Sequence, residues 1–372
     1  MPTAASREPH VVVDARMLGH SGIGTYLTNV LPRLARARPT WRWTLLGNGA
    51  ALTSLDWADP DRVKVIVCEA PIYSIREQLE LAAKRPRDAD LFWSPHYNVP
   101  VAPAGRLMVT LHDLGHLALP QFFPGLLQRL YARTMFGTVR LRASTILCIS
   151  EFTRREYLRL IGAGRADPTV VHPGIDPSWS GAKRGGSPHP RPYIVCVGVV
   201  KQHKNIGTLV RAFARIHESV PHDLIVIGRR AGMRTMDEDA ERAAAPLGAR
   251  VTFMGEVAFE ALQRYVAYAD ALVSTSLHEG FGLPPLEAMA AGCPCLVSNT
   301  TALPEACGDA ALYCDPTNVD DVAQALHRLL NDGELRATLR ERGRQRAASF
   351  TWERCADATA AAMSRTLGVS PE

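Results

Sequence analysis

Short apolar runs alternate with stretches of helical periodicity along the whole chain. In the first half, runs at residues 10–13, 43–46, 63–67, 91–93, 107–111 and 145–149 predict strands. Amphipathic periodicity between them predicts helices over 23–37, 74–83, 125–140 and 151–160. The strand runs are apolar at nearly every position rather than at alternate ones. Such strands are buried on both faces, which implies a mostly parallel sheet with helices on either side. At 172–192 the periodicity stops, and a stretch rich in proline, glycine and basic residues reads as an interdomain linker. The alternation then restarts. Strands are predicted at 193–197, 224–227, 251–253, 271–274 and 295–297, and helices at 205–218, 259–268, 285–291, 319–331 and 334–348. Two α/β units joined by a linker predict a cleft, with ligands beyond the carboxyl ends of the strands.

A chain of 372 residues suits two domains better than one core. Apolar residues make up 47% and charged residues 21%, an ordinary balance for a globular protein. The net charge of +5 suits an anionic ligand or an anionic membrane surface without requiring nucleic acid. Among the eight cysteines, Cys148 and Cys196 sit inside apolar runs and read as buried small hydrophobes. Cys293 and Cys295 have the wrong spacing for a zinc knuckle, so no metal site is expected, and reduced thiols point to the cytosol. Residues 1–9 are short and polar, which predicts no signal peptide, and no apolar stretch is long enough to predict a membrane span.

The sharpest chemical feature is His278-Glu279-Gly280-Phe281-Gly282-Leu283-Pro284-Pro285-Leu286-Glu287. It follows a predicted strand and opens a predicted helix. Gly280 and Gly282 let backbone approach a ligand, and the helix N-terminus favours a phosphate. Two carboxylates beside it can accept hydrogen bonds from sugar hydroxyls. For an isolated pair of glutamates, a surface residue facing the helix dipole would be the plainer explanation. This segment resembles the Glu-x7-Glu signature of the family-four retaining glycosyltransferases, which have the GT-B fold. The resemblance implies two Rossmann-like domains facing across a deep cleft. It implies an N-terminal acceptor domain at 1–173, a nucleotide-sugar donor domain at 174–350, and a C-terminal helix at 351–372 that returns to the first domain. By the same resemblance Glu279 contacts the transferred sugar, and Glu287 holds the ribose hydroxyls. Phe281, Gly282 and Leu283 line the sugar and phosphate site.

Other segments match in the same order. Gly198 and the run Lys201-Gln202-His203-Lys204-Asn205 resemble the family's glycine loop, in which Lys204 binds the donor pyrophosphate. Val199 stands where many members carry Arg, and His203 stands where a subgroup carries one. Ser21-Gly22-Ile23-Gly24-Thr25-Tyr26 resembles the loop that reaches over donor phosphates and acceptor, with Thr25 in place of the usual Arg. Asp14-Ala15-Arg16 is also typical of the group. His112-Asp113 follows a strand, and the family has a histidine there that touches the transferred sugar. Ser150-Glu151 reads as a helix cap.

The expected function is transfer of a hexose from a nucleotide diphosphate sugar to an acceptor hydroxyl with retention, without a metal or cofactor. His112, Lys204 and Glu279 would carry the catalysis. Resemblance to mannosyltransferases of surface-polysaccharide pathways favours GDP-mannose, with a UDP-hexose as the other donor, and a sugar or lipid-linked sugar as acceptor. The alternatives are a catalytically weak relative that binds nucleotide sugar as a scaffold subunit, and a sugar-nucleotide epimerase. Residues 126–142 mix leucines and aromatics with Arg129, Arg133, Arg140 and Arg142. Either this helix lies on an anionic membrane at the cytoplasmic face, or its apolar side is core and its arginines a solvated rim.

Overall fold

The computed structural model describes residues 8–19, 22–52, 55, 57–102, 105–122, 125–182, 185–229 and 238–370. The chain divides into two compact units, Met1–Gly174 with Trp352–Glu372, and Ile175–Thr351.

In the first unit, β1 (His10–Asp14), β2 (Arg42–Gly47), β3 (Val63–Val67), β4 (Leu91–Ser94), β5 (Arg106–Leu111), β6 (Thr145–Cys148) and β7 (Pro168–Val170) form one parallel sheet. Its order is β3-β2-β1-β4-β5-β6-β7. The helices are α1 (Ile23–Ala37), α2 (Gly49–Leu52), α3 (Ile75–Lys84), α4 (Gly115–Ala118), α5 (Leu126–Arg142) and α6 (Glu151–Leu160). Successive strand residues point to opposite faces, and both faces are covered. Val11, Val13, Leu91 and Trp93 pack with Tyr26, Leu27 and Leu31 of α1, whereas Val12, Phe92 and Val109 pack with Ala132, Met135 and Phe136 of α5.

In the second unit, β8 (Tyr193–Val197), β9 (Asp223–Ile227), β10 (Val251–Gly255), β11 (Ala271–Ser274), β12 (Cys295–Ser298) and β13 (Leu312–Cys314) are ordered β10-β9-β8-β11-β12-β13, again parallel. Its helices are α7 (Ile206–Ile216), α8 (Glu238–Ala244), α9 (Phe259–Tyr268), α10 (Leu283–Ala290), α11 (Leu303–Cys307), α12 (Val319–Asn331) and α13 (Gly333–Ala348). The last helix, α14 (Trp352–Leu367), belongs to the first unit. There Trp352, Cys355, Ala356 and Met363 join the core beside α1, and Arg33 pairs with Glu353 at 2.8 Å.

Both sheets are Rossmann-like, and in each the strand order reverses beside the first strand. The crevices lie at the carboxyl ends of β1 and β4, and of β8 and β11, where doubly wound sheets bind ligands.

Three expectations change. The edge strands β7 and β13 were not predicted, because three residues carry too little apolar pattern to register. The stretch at 172–192 is not a plain linker. Asp176 caps a 3-10 turn at Pro177–Gly181, Trp179 is buried edge-on to Phe259, and the Ile175 N–H donates to the Phe350 carbonyl. One large indole outweighs the proline and glycine around it, since its burial removes so much apolar area from water. Finally, helix α7 starts one residue later than expected, because Asn205 takes the left-handed conformation and serves another purpose.

The eight cysteines are free and buried. No described helix is long and apolar enough to cross a membrane.

Candidate active site

Two loops of the second unit are stitched together at the β8–β11 crevice. The Asn205 amide donates to the carbonyls of Thr275 and Pro316, and the Thr275 hydroxyl donates back to the Asn205 carbonyl at 3.0 Å. The Leu277 N–H donates to the His203 carbonyl at 2.8 Å. An asparagine tolerates the left-handed backbone that aims its amide this way. The result holds Lys204, after β8, against Glu279, after β11. The Lys204 ammonium donates to Glu279 Oε1 at 2.6 Å, and the Ser276 hydroxyl donates to the same oxygen at 2.7 Å. Burial pushes the Glu279 carboxyl up, but Lys204, Ser276 and His203 outweigh it and hold the pKa below the ordinary range.

Helix α10 begins at Leu283, earlier than the predicted start at residue 285. Gly282 precedes it at φ 117°, and an added Cβ would meet Leu303 Cδ2 at 2.7 Å, so only glycine fits. Pro284 and Pro285 carry no N–H, so of the first three helical positions only Leu283 offers a donor. The anion-binding capacity of this terminus is therefore narrower than a generic helix start. Glu287 lies four residues after Leu283, hence on the same face and in the second turn rather than the first. Burial, with a smaller contribution from Asp176, pushes the Glu287 carboxyl up to about 7.

Phe281 does not offer its ring to a ligand. It is 3% exposed and stands edge-on to Phe350 at 5.4 Å, so any lining role falls to its backbone. The reason is hydrophobic: the ring finds a partner from the end of α13, which local sequence does not reveal.

At the end of β8, Gly198 adopts φ 149° and stands beside Lys204, whose Cε lies 3.8 Å from an added Cβ. Gly228, after β9, approaches so closely that a Cβ there would meet the Gly198 carbonyl oxygen at 1.9 Å. Sequence reasoning missed Gly228 and Ser276. It also missed Arg229, an exposed cation whose carbonyl accepts from the Val200 N–H, beside the position where Val199 replaces an arginine. A glycine directly after a predicted strand was the available signal.

The first unit holds the remaining candidates. Gly22 precedes α1 at φ 71°, and the Cβ of a residue at Gly24 would lie 2.5 Å from the Leu18 carbonyl oxygen, so Gly24 serves close packing. Thr25 is exposed, and Ser21 lies outside the described residues. Asp14 is fully buried at the end of β1. Against the cost of burial, bidentate contact with Arg16 (2.8 and 2.6 Å) and the His96 Nε2 at 3.2 Å hold it far below the ordinary carboxylate range. His112, after β5, stands edge-on to Tyr26, and burial takes its pKa down to about 4. The imidazole is thus neutral at physiological pH, and its Nε2 is buried with no hydrogen-bond partner. Ser150 caps α6 by accepting from the Thr153 N–H at 2.9 Å.

Helix α5 resolves into two parts. Met135 and Phe136 are core, but Leu126, Leu127 and Leu130 are exposed at 74%, 81% and 59%.

Comparison with known proteins bears on the fold and the family. The chain is 29% identical over 278 residues to the O-antigen chain mannosyltransferase B of Escherichia coli, a match covering 68% of this chain and 69% of the relative. Sucrose-phosphate synthase from Thermosynechococcus elongatus superposes with a TM-score of 0.78 at 20% identity, over 98% of this chain and 100% of that one. The Anabaena protein HepE, solved in complex with UDP-glucose, superposes with a TM-score of 0.75 at 18% identity, over 96% of this chain and 99% of the other. These neighbours share the GT-B fold. The profile described as glycosyl transferases group 1 matches residues 179–346, and that of glycosyltransferase family 4 matches residues 20–179. The two profiles meet at residue 179 and between them take in both candidate crevices, so the chain belongs to the family-four, group 1 glycosyltransferases.

Proposed function

We propose that this glycosyltransferase moves a hexose, mannose in preference, from a nucleotide diphosphate sugar to an acceptor hydroxyl, with retention of configuration. The observation that carries the reading is the Lys204–Glu279 pair at 2.6 Å in the β8–β11 crevice, with Glu287 on the helix that follows. The acceptor oxygen attacks the anomeric carbon on the face from which the diphosphate departs. The bond from that carbon to the phosphate oxygen breaks, and the hydroxyl proton passes to the departing phosphate. Lys204 and the N-terminus of α10 supply positive charge opposite the leaving group, with no metal called upon. Glu279 orients the sugar, Glu287 accepts from the ribose hydroxyls, and His203 with the glycines at 198 and 282 frames the phosphates. Neutral His112 stands on the acceptor side, its Nε2 buried and without a hydrogen-bond partner.

The E. coli relative is named an O-antigen chain mannosyltransferase, which supports mannose as the transferred sugar, with GDP-mannose the first donor to test, and a place in surface polysaccharide synthesis. UDP-glucose in HepE keeps a UDP-hexose as the second donor to test. Thermal shift against GDP-mannose, GDP-fucose, UDP-glucose, UDP-N-acetylglucosamine, UDP-galactose and ADP-glucose decides between them. A donor at about 100 times its Kd adds roughly 2.7 kcal/mol, a shift of several degrees. No shift with any nucleotide sugar would overturn the reading.

The acceptor side of this reading includes an anionic membrane. Exposed Leu126, Leu127 and Leu130 alternate with Arg129 and Arg133 on one helix, and apolar side chains beside cations suit an anionic bilayer. Co-sedimentation should favour phosphatidylglycerol vesicles over phosphatidylcholine. Replacing Leu126 and Leu127 together by glutamine should release the protein. Equal sedimentation with both lipids would remove the membrane from the account.

A further inference from the structure

The β8–β11 crevice is short of positive charge. Lys204 already faces the Glu279 carboxylate at 2.6 Å. Pro284 and Pro285 carry no N–H, which leaves α10 little to offer an anion at its start. A nucleotide diphosphate is anionic on both phosphates, and phosphate oxygens bind best to charged donors. The chemistry asks for a further cation close to Lys204.

The backbone sets Arg229 there. Strands β8 and β9 run parallel, and their last register pair is Val197 with Ile227. The Gly198 N–H donates to the Ile227 carbonyl at 2.9 Å, and the Val200 N–H donates to the Arg229 carbonyl at 3.2 Å. These bonds continue the evenly spaced parallel ladder by one rung, so Val199 and Arg229 stand side by side at the carboxyl edge of the sheet. On the far side, the Gly228 N–H donates to the carbonyl of Gly255, the last residue of β10, at 2.8 Å. The segment that carries Arg229 is thus held by both neighbouring strands.

Two glycines bring this segment against the lysine. A Cβ on Gly228 would meet the Gly198 carbonyl oxygen at 1.9 Å, so β9 ends this close to the loop only with glycine there. A Cβ on Gly198 would stand 3.8 Å from Lys204 Cε. Gly198 is therefore the common neighbour of Lys204 and of the Gly228–Arg229 backbone. Val199, the rung partner, is apolar and brings no charge of its own. Arg229 is exposed, and among the described residues no side chain or carbonyl engages its guanidinium. Its planar fork can bond two phosphate oxygens at once.

We propose that Arg229 is the second phosphate-binding cation of the donor site, gripping the diphosphate from the β9 side while Lys204 holds it from the β8 side. The identity of the ligand rests on the glycosyltransferase reading above, but the anion site does not. Lys204 is shared with Glu279 and acts most as charge grows on the departing phosphate. Arg229 grips the resting diphosphate as firmly as the departing one, so it governs donor affinity rather than turnover.

Titration calorimetry with inorganic pyrophosphate, GDP and UDP on wild type, Arg229→Gln and Arg229→Lys tests the assignment. The wild type should bind pyrophosphate and at least one of the nucleotides. Arg229→Gln should weaken pyrophosphate and that nucleotide alike by roughly tenfold, the loss expected for one charge-assisted contact. Arg229→Lys should recover part of the loss, because the charge returns without the fork. Raised salt should narrow the gap between wild type and Arg229→Gln, since ions screen an exposed charge. An unchanged melting temperature of the unliganded variant shows that it is folded. In steady state, Arg229→Gln should raise the KM for the donor and keep kcat within about threefold of wild type. No pyrophosphate binding by the wild type, or equal affinity in Arg229→Gln, overturns the assignment and leaves the glycosyltransferase reading standing. Loss of pyrophosphate binding in Arg229→Gln, with no nucleotide sugar moving the wild-type melting temperature, would keep the anion site and count against the proposed function alone.

Discussion

Lys204→Ala should lower turnover at saturating donor by roughly 10²- to 10³-fold, the cost of removing one preorganised charge from a departing oxyanion. In the free protein Lys204 is already engaged by Glu279 at 2.6 Å. A diphosphate therefore meets a cation held in place and partly neutralised, and takes over part of that interaction. The variant should lose more in kcat than in donor affinity, because the charge on the phosphate grows as the bond breaks. Glu279 should also change. Its pKa sits below the ordinary value although burial opposes this, and Lys204 is the largest favourable cause. Stability from that depressed pKa is present above the ordinary carboxylate range and is lost as pH falls through the folded value. Without Lys204 this contribution disappears and burial acts on Glu279 unopposed, so the variant should be less stable than wild type near neutral pH, with the difference shrinking as pH falls. Steady-state kinetics with the donor found by thermal shift checks the first effect. A turnover within about threefold of wild type would remove Lys204 from the chemistry.

Glu287→Gln should stabilise the protein and weaken it as an enzyme. The Glu287 carboxyl titrates near 7 against an ordinary 4.5, because it is desolvated and faces Asp176. The folded state thus holds the proton more tightly than the unfolded chain. Its contribution to stability is present below about 4.5 and is lost as pH rises to about 7. Glutamine removes this slope, so the melting temperature of the variant should exceed wild type at about pH 8 and match it at about pH 5. Donor affinity should move the opposite way. The ionised carboxylate can accept from both ribose hydroxyls, and losing a charge-assisted hydrogen bond costs roughly 10- to 100-fold in Kd. For the same reason wild-type donor affinity should fall as pH drops below 7. Isothermal titration across that range reads the effect, and an affinity independent of pH in the wild type would separate Glu287 from the ribose.

Much of the fold was legible because parallel strands buried on both faces leave continuous apolar runs. The runs at β8 and β11 and the periodicity of α1, α6, α9 and α12 place those elements at their observed bounds. What escaped was short or held by distant partners. Edge strands β7 and β13 span three residues each, and the turn at Pro177–Gly181 exists because Trp179 finds Phe259. In the site, Glu279, Glu287 and Lys204 were legible as residue types in sequence order. Ser276, Gly228 and the Asn205 clamp were not, since a hydroxyl, a glycine or an amide announces nothing until its partner is known.

Sequence alone therefore determined two alternating α/β units and the candidate residues that follow β1, β5, β8 and β11, because local burial pattern and chain order dictate both. Tertiary structure alone decided which charges meet and which groups lie dry. It joined Lys204 to Glu279 across 75 residues, left the Glu287 carboxyl desolvated, and turned Phe281 into the core. It also left Leu126 and Leu127 in solvent and held Tyr73 strained and open. The physical reason is that periodicity reports the side of an element that is buried, whereas pairing, desolvation and strain depend on groups brought in from elsewhere in the chain.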